Sequence, residues 1–584
     1  MGKLLAIPAV MVVLLAGALV WSGGAAHPRA DFAFINRGDI YTLDLNRMSF
    51  MQDFRLTYGI REGLFSPDPE TLRPVPTGAA SYDISPDKKV WTFRLRPEAK
   101  WSNGDPVTAA DYVFSWRRML EQPGEYTYLF YYVTNAERYE AAYAKRAPFD
   151  FGTVGMKAVD PLRLRVELDD PVPYLPDLLA FPPFYPRHER SMAPFLLTQA
   201  DGKTIYDAAY TRPPHVVTNG PFVLTKWEYK VRLLLEKSPT YWDKANVRSD
   251  RLEMVVNENA LSQFLQYDSG QVDWLADVKG DEAAELRAKG RTDLHSSPAF
   301  GTAFLTFLVQ PTLPPGGGGG KNPLADARVR QALAMTIDKK FITDNITRMG
   351  ELPARTYLPP DGTLPDFRWL PGPHQPAGGP TAPYAPEEVR ALLPDAAGPA
   401  GPGLPYDVKR ARALMADAGY PNGQGLPVLP ILFNSENPTR AKIAQALKDQ
   451  WRAALGVTIE VQQIEGKVYK ERLSKKDYAI GLGAWYGDYP DASTFTDKYL
   501  STSLQNDCDW RSKAYDDLCA AAKKEPDAAA RVTLLSRAEH LIDTEVPIVP
   551  LYHYTNVSMS RSNVEGVLPN PRGTTIFKAV KVRR

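Results

Sequence analysis

Two aspartates, Asp488 and Asp491, stand three positions apart in the stretch GAWYGDYPDASTF (residues 483–495), among a tryptophan, two tyrosines and a phenylalanine. A carboxylate is costly to bury unless something positive meets it. The pair could act as general acid and base, as two carboxylates do in a glycosidase. Alternatively, both stay in water on a turn, or a cation comes to one of them. No G-x-S-x-G elbow, P-loop or dinucleotide fingerprint stands in a strand-to-helix context, and the seven histidines are scattered without an H-E-x-x-H. Catalysis is therefore not expected, and neither is a cofactor or a metal. The only cysteines, Cys508 and Cys519, are too few for a usual zinc site. Their separation suits a local disulfide in an exported chain, with two buried free thiols as the alternative.

The elements that must hold this stretch are legible nearby. PTRAKIAQALKDQWRAALG predicts a helix: Asn437 can cap it, Pro438 suits its first turn, Ile443, Leu447 and Trp451 share a face, and Gly456 ends it. VTIEVQQI after it reads as a strand. Helix and strand in alternation mark an α/β layer. Earlier, KVWTFRL puts Trp91, Phe93 and Leu95 on one face of a strand. In the following helix Thr108 and Asp111 form a capping pair, and Tyr112, Trp116 and Leu120 fall on one face. With RLRVEL these form an α+β unit. Two segments read as linker or insertion: PTLPPGGGGGK (residues 311–321) as a flexible linker, and the Pro/Gly/Ala-rich residues 359–405 as a surface insertion.

The chain has 584 residues, enough for several domains; 44% are hydrophobic, and 69 basic residues balance 68 acidic ones. A net charge of +1 points to neither nucleic acid nor an anionic surface as partner. The first residues follow the order of an export signal: Lys3, then an apolar run from Leu4 to Trp21, then small residues. Cleavage is expected after Ala26, with an uncleaved membrane anchor formed by residues 4–21 as the rival. No cysteine follows the run, so lipid attachment is not expected.

Several blocks, in order along the chain, resemble the solute-binding proteins of peptide importers, the oligopeptide- and dipeptide-binding family. They are VWTFRLRPEAKWSNGDPVTAADYVFSW, VTNGPFVLTKWEYKVRLLLEKSPTYWD, DARVRQALAMTIDKKFI and EVPIVPLYHYTN. The resemblance implies an α/β fold with an α+β insertion: two lobes of the periplasmic-binding-protein type joined by a hinge, one lobe carrying an extra domain. Lobe one would comprise residues 31–63, 216–300 and 556–584, the inserted domain 64–215, and lobe two 301–555. It implies a monomeric extracytoplasmic subunit of an ABC importer that captures oligopeptides and delivers them to a membrane permease. The same family likeness also covers binders of metal chelates, haem, cell-wall fragments and sugars.

GAWYGDYPDASTF is similar to the family's cleft segment. By that likeness Asp488 receives the peptide's α-ammonium, with Asp491 on the solvated side of the turn; Trp485 and Gly487 flank Asp488, and Ala484 and Tyr486 supply main-chain contacts. RGDIYTLD resembles the first cleft strand, which would bring Asp39, Ile40 and Tyr41 near the ligand. YTYLFYY (residues 126–132) would cover the ligand from the inserted domain or serve as core. The arginine that many oligopeptide binders carry three residues before the tryptophan is Leu482 here, so Arg472 is the nearest basic candidate for a ligand carboxylate.

Overall fold

A computed structural model describes residues 29–36, 38–200, 202–359, 403–435, 437–489, 491–525, 527–567 and 570–584. The leader or anchor read at residues 1–26 and most of the 359–405 insertion lie outside the described residues. Among the described residues no helix is long and apolar enough to cross a membrane.

In chain order the strands that position the site are β1 (Phe32–Ile35), β2 (Ala79–Ile84), β3 (Val90–Leu95), β4 (Met156–Asp160), β5 (Arg163–Glu167), β6 (Phe222–Glu228), β7 (Arg232–Lys237), β8 (Arg251–Val255), β9 (Trp274–Leu275), β10 (Leu294–Phe307), β11 (Leu429–Asn434), β12 (Ile459–Ile464), β13 (Ile480–Tyr486) and β14 (Ile548–Ser560). The helices needed here are α1 (Met51–Ile60), α2 (Ala109–Glu121), α3 (Pro438–Leu455) and α4 (Ala528–Glu545).

One sheet runs β6-β7-β8-β1-β9-β14-β10-β13-β11-β12 and belongs to two lobes. β1 pairs parallel with β8 and β9, and β11 pairs parallel with β12 and β13, as α/β layers do. The long antiparallel pair β10 and β14 passes from one lobe to the other. Near β9 their ladder runs from Leu294↔Met559 to Pro298↔Thr555; it breaks, then resumes from Thr302↔His553 to Thr306↔Ile548 beside β13. Proline has no N–H to give a ladder, so the break falls where Pro298 stands. A second register shift lies between Ala303 and Phe304, so two strands whose ladder is interrupted twice connect the lobes, a connection of the kind on which lobes rotate.

A separate antiparallel sheet, β2-β3-β5-β4, is the α+β unit. Trp91, Phe93 and Leu95 of β3 are buried, as period-two alternation requires. Asp111 accepts hydrogen bonds from the N–H and hydroxyl of Thr108 at the start of α2, at 2.8 and 2.9 Å. The buried side chains of this unit are continuous with those of lobe one, from Phe34 through Trp116 to Phe577. In lobe two, Asn437 accepts from the Thr439 N–H at 3.0 Å and Gly456 closes α3 at φ +71°, so the helix is bounded as its punctuation predicts. Ile443, Leu447 and Trp451 are buried beneath it.

Two expectations are corrected. The glycine run at 311–321 is a docked loop, not a flexible linker. The Gly316 N–H donates to Asp477 at 2.8 Å, its carbonyl accepts from Arg472 at 2.7 Å, and Gly317 is buried. A Cβ on Gly316 would lie 2.3 Å from the Arg472 guanidinium and 2.4 Å from the Asp477 carboxylate, so a larger residue there would have to displace both side chains. Cys508 and Cys519 do not form the disulfide their separation suggested. Both are free and buried in one core cluster, Cys519 on a helix face with Tyr515 and Ala522, and Cys508 donating to Asn506. Burial pushes both thiols up to about 12. Since the thiolate is the reactive form, native protein resists alkylation by iodoacetamide. Denatured, unreduced protein should take up two labels per chain; a mass showing none would restore the bridge.

Candidate functional site

β13 carries the aromatic-aspartate stretch toward the space between the lobes. Along one edge it pairs with β10, from Phe307↔Ile480 to Gly301↔Tyr486. The Leu308 N–H donates to Ala479 O, and the Gly487 N–H to Phe300 O at 2.8 Å. Odd-numbered residues therefore point their backbone groups at β10, and even-numbered ones at the opposite edge. On that opposite edge β11 meets only Ile480 and Gly481. The Tyr469 hydroxyl donates to the Leu482 carbonyl at 2.6 Å. Ala484 comes next, beyond the end of the β11 ladder. Gly487 fits tightly over the ring of Phe300: a Cβ there would lie 2.0 Å from it.

The turn after β13 is tied down by its own side chains. The Trp485 indole donates to Thr494 O at 2.8 Å, and the Thr494 hydroxyl accepts from the Asp488 N–H at 3.0 Å. Lys498 Nζ lies 5.2 Å from the Trp485 ring centre. The exposed Tyr486 ring stacks on Tyr554 at 4.8 Å.

Asp488 is half-buried and accepts a hydrogen bond from the Tyr128 hydroxyl of the inserted domain. Among the described residues no Lys or Arg forms an ion pair with it. Burial pushes its carboxyl up to about 7; the Tyr128 hydrogen bond and the charge of Arg572 oppose that push, and Glu125 adds to it. The segment 126–132 thus divides its roles. Leu129 and Phe130 are core, while Tyr128 and Tyr132 face lobe two. Tyr174 of the inserted domain stacks on Tyr489 at 4.9 Å and 13°, and donates to Tyr132 at 3.1 Å. These contacts bring the inserted domain directly against the turn at 487–494.

Asp491 does not lie on a solvated side. It accepts two bonds from Arg531 of α4, both at 2.7 Å, and two more from the N–H and hydroxyl of Ser493. The pair is nearly enclosed, with side-chain exposures of 13% for Asp491 and 8% for Arg531. Three of these bonds fall on Oδ1 and one on Oδ2, and a carboxylate gripped by a bidentate guanidinium and a serine is committed to holding α4 against the turn. The reading of Asp488 and Asp491 as an acid–base pair loses its second member.

The other expected residues are spent elsewhere. The Arg472 guanidinium is committed to Asp477 and the Gly316 carbonyl, so it serves the glycine loop and not a ligand carboxylate. β1 ends at Ile35; Asp39 lies in a bend, and Ile40 and Tyr41 follow it outside any strand. Asp39 accepts from the N–H groups of Ile40 and Lys230, and Ile40 is core. The Tyr41 N–H donates to buried Asp53 at 2.9 Å, and its exposed ring stacks on Phe50. Tyr128, Tyr174, Arg531 and Arg572 had no local signal beyond the tyrosine-rich stretch itself.

Residues 73–507 match the family described as bacterial extracellular solute-binding proteins, family 5 Middle. The oligopeptide-binding protein OppA of Bacillus subtilis (strain 168) is 29% identical over 505 residues, 86% of this chain and 83% of that protein. The periplasmic oligopeptide-binding protein OppA of Escherichia coli (strain K12) is 28% identical over 537 residues, 91% of this chain and 88% of that one. Among solved structures, Listeria monocytogenes OppA bound to peptide superposes with a TM-score of 0.73 at 26% identity, covering 95% of this chain and all of the other (100%).

Proposed function

The chain belongs to the bacterial extracellular solute-binding proteins of family 5, and on that premise we propose that it is the substrate-binding subunit of an ABC importer, capturing oligopeptides between its lobes and handing them to a membrane permease. It works outside the cytoplasm as a binding protein without catalysis, and export by residues 1–26 and the domain limits given above belong to the same proposal. The observation that carries it is a desolvated carboxylate, Asp488, with no ion-pair partner among the described residues, beside a strand edge that β11 stops covering at Gly481. An α-ammonium is the cation such a carboxylate favours, since charge-assisted hydrogen bonds are the stronger kind. An extended peptide could pair with the backbone of Ala484 and, by the same alternation, Tyr486, gaining affinity without reading side chains. Trp485 and Gly487 fix the turn that aims Asp488. Native mass spectrometry of protein purified without refolding should show a ladder of peptide masses; a single discrete non-peptide mass would sink the reading.

The ionisation of Asp488 sets the sign of a pH effect. Its carboxyl titrates near 7 in the free protein, and an ammonium binds the ionised form. Below that pH the site must lose a proton to bind, so affinity falls by up to about tenfold per pH unit. Titration calorimetry between pH 5 and pH 7.5 should show this limb for a free peptide and not for its N-acetylated form. A flat profile for both would remove Asp488 from the binding reaction.

A further inference from the structure

Arg572 is an arginine near the turn of Asp488 whose side chain has no hydrogen-bond or ion-pair partner among the described residues. It stands in a tight turn held on every side. The Gly573 N–H donates to Asn570 O at 3.1 Å, and the Thr574 N–H to Asn570 Oδ1 at 3.1 Å. Pro571 O accepts from Phe300 and Asn556, and Gly573 O accepts twice from Arg55. The backbone around Arg572 is fixed, yet among the described residues its half-buried guanidinium has no hydrogen-bond or ion-pair partner. Several other arginines packed in these lobes are committed, Arg118 to Asp44, Arg187 to Ser115 and Asn46, Arg531 to Asp491, whereas Arg61, which also lacks partners for two of its nitrogens, is enclosed in the core where no ligand reaches it.

Phe300 ties this turn to the ammonium site. Its N–H donates to Pro571, next to Arg572, and its carbonyl accepts from Gly487, next to Asp488. The charge of Arg572 is felt at Asp488 and at the buried phenols of Tyr58 and Tyr185, which burial pushes up and Arg572 draws back. Asp488 and Arg572 are therefore neighbours of opposite sign that do not form an ion pair with each other. A partly desolvated guanidinium left without an anion is unfavourable, and its planar fork matches a carboxylate in two hydrogen bonds.

We propose that Arg572 receives a carboxylate of the ligand beside the ammonium that Asp488 takes. The inference rests on the peptide reading above. The carboxylate is either the C-terminus of a short peptide or the side chain of an acidic residue, and the two are separable. The probes are Ala-Ala-Ala against its C-terminal amide, and Glu-Ala-Ala-Ala-Ala against Gln-Ala-Ala-Ala-Ala, titrated into the full chain and into Arg572→Met. In the wild type one member of one pair should bind about tenfold or more tightly than its neutral partner. In Arg572→Met that preference should vanish, while Arg572→Lys, which keeps the charge but not the fork, should retain part of it. The pair that shows the preference identifies the source. Equal affinities within both pairs in the wild type, or a preference surviving in Arg572→Met, overturns the assignment and leaves the peptide reading standing. If the wild type binds none of the four peptides, the peptide reading fails and this assignment with it. Thermal melts of both variants matching the wild type would exclude a folding defect as the cause.

Discussion

Asp488→Asn weakens binding of a peptide with a free α-ammonium by about 30-fold or more at neutral pH, the expected result when one partner of a desolvated charge pair is removed at a cost of about 2–5 kcal/mol. The wild-type carboxylate waits in a site where burial already disfavours its charge. Asparagine keeps an oxygen for the Tyr128 hydroxyl but offers the ammonium no opposite charge. Folding should survive. A carboxyl whose native titration lies above its ordinary range lowers stability once pH exceeds that range, because the native state holds a proton the unfolded chain has released. Removing the charge should therefore leave thermal stability unchanged or slightly higher. N-acetylated peptide should bind the wild type poorly and lose little more in the variant. Isothermal titration with one peptide in both forms tests this; equal affinity of the wild type for the two forms would show that Asp488 is not an ammonium receptor.

Asp491→Ala is expected to act on stability, by about 3–5 kcal/mol, because it leaves the Arg531 charge enclosed without its partner. The loss is larger than for an exposed pair, where removal costs about 0–1 kcal/mol. It should appear in the unfolding of lobe two, since α4 and the 487–494 turn are what the pair joins, and a chain of several domains need not melt in one step. Urea unfolding followed by tryptophan fluorescence should show the shift. The double variant Asp491→Ala, Arg531→Met, which removes the buried charge as well, should recover more than half of it. A single variant as stable as the wild type would mean that water reaches Arg531 and that the pair is not desolvated.

The amino-acid sequence alone determined the local elements and the identity of the stretch to watch. The alternation of Trp91, Phe93 and Leu95 specifies β3, and Asn437, Pro438 and Gly456 bound α3, because period and capping depend on residues within a turn or two of one another. The family blocks, and with them the two-lobed fold, were legible for the same reason: they are short runs read in order. What meets each charge was decided only by tertiary structure. Asp488 and Asp491 are both acidic residues of one turn. The first meets a tyrosine hydroxyl from the inserted domain and the second a guanidinium from α4. Arg472 looked available until the glycine loop closed over it, and Arg572, nearly at the end of the chain, is placed beside Asp488 by way of Phe300. The cysteines suited a bridge by separation, but each packs into its own place in the core. Spacing constrains backbone geometry over a few residues. Whether a charge is buried, and what satisfies it, depends on segments tens to hundreds of residues away that only packing brings together.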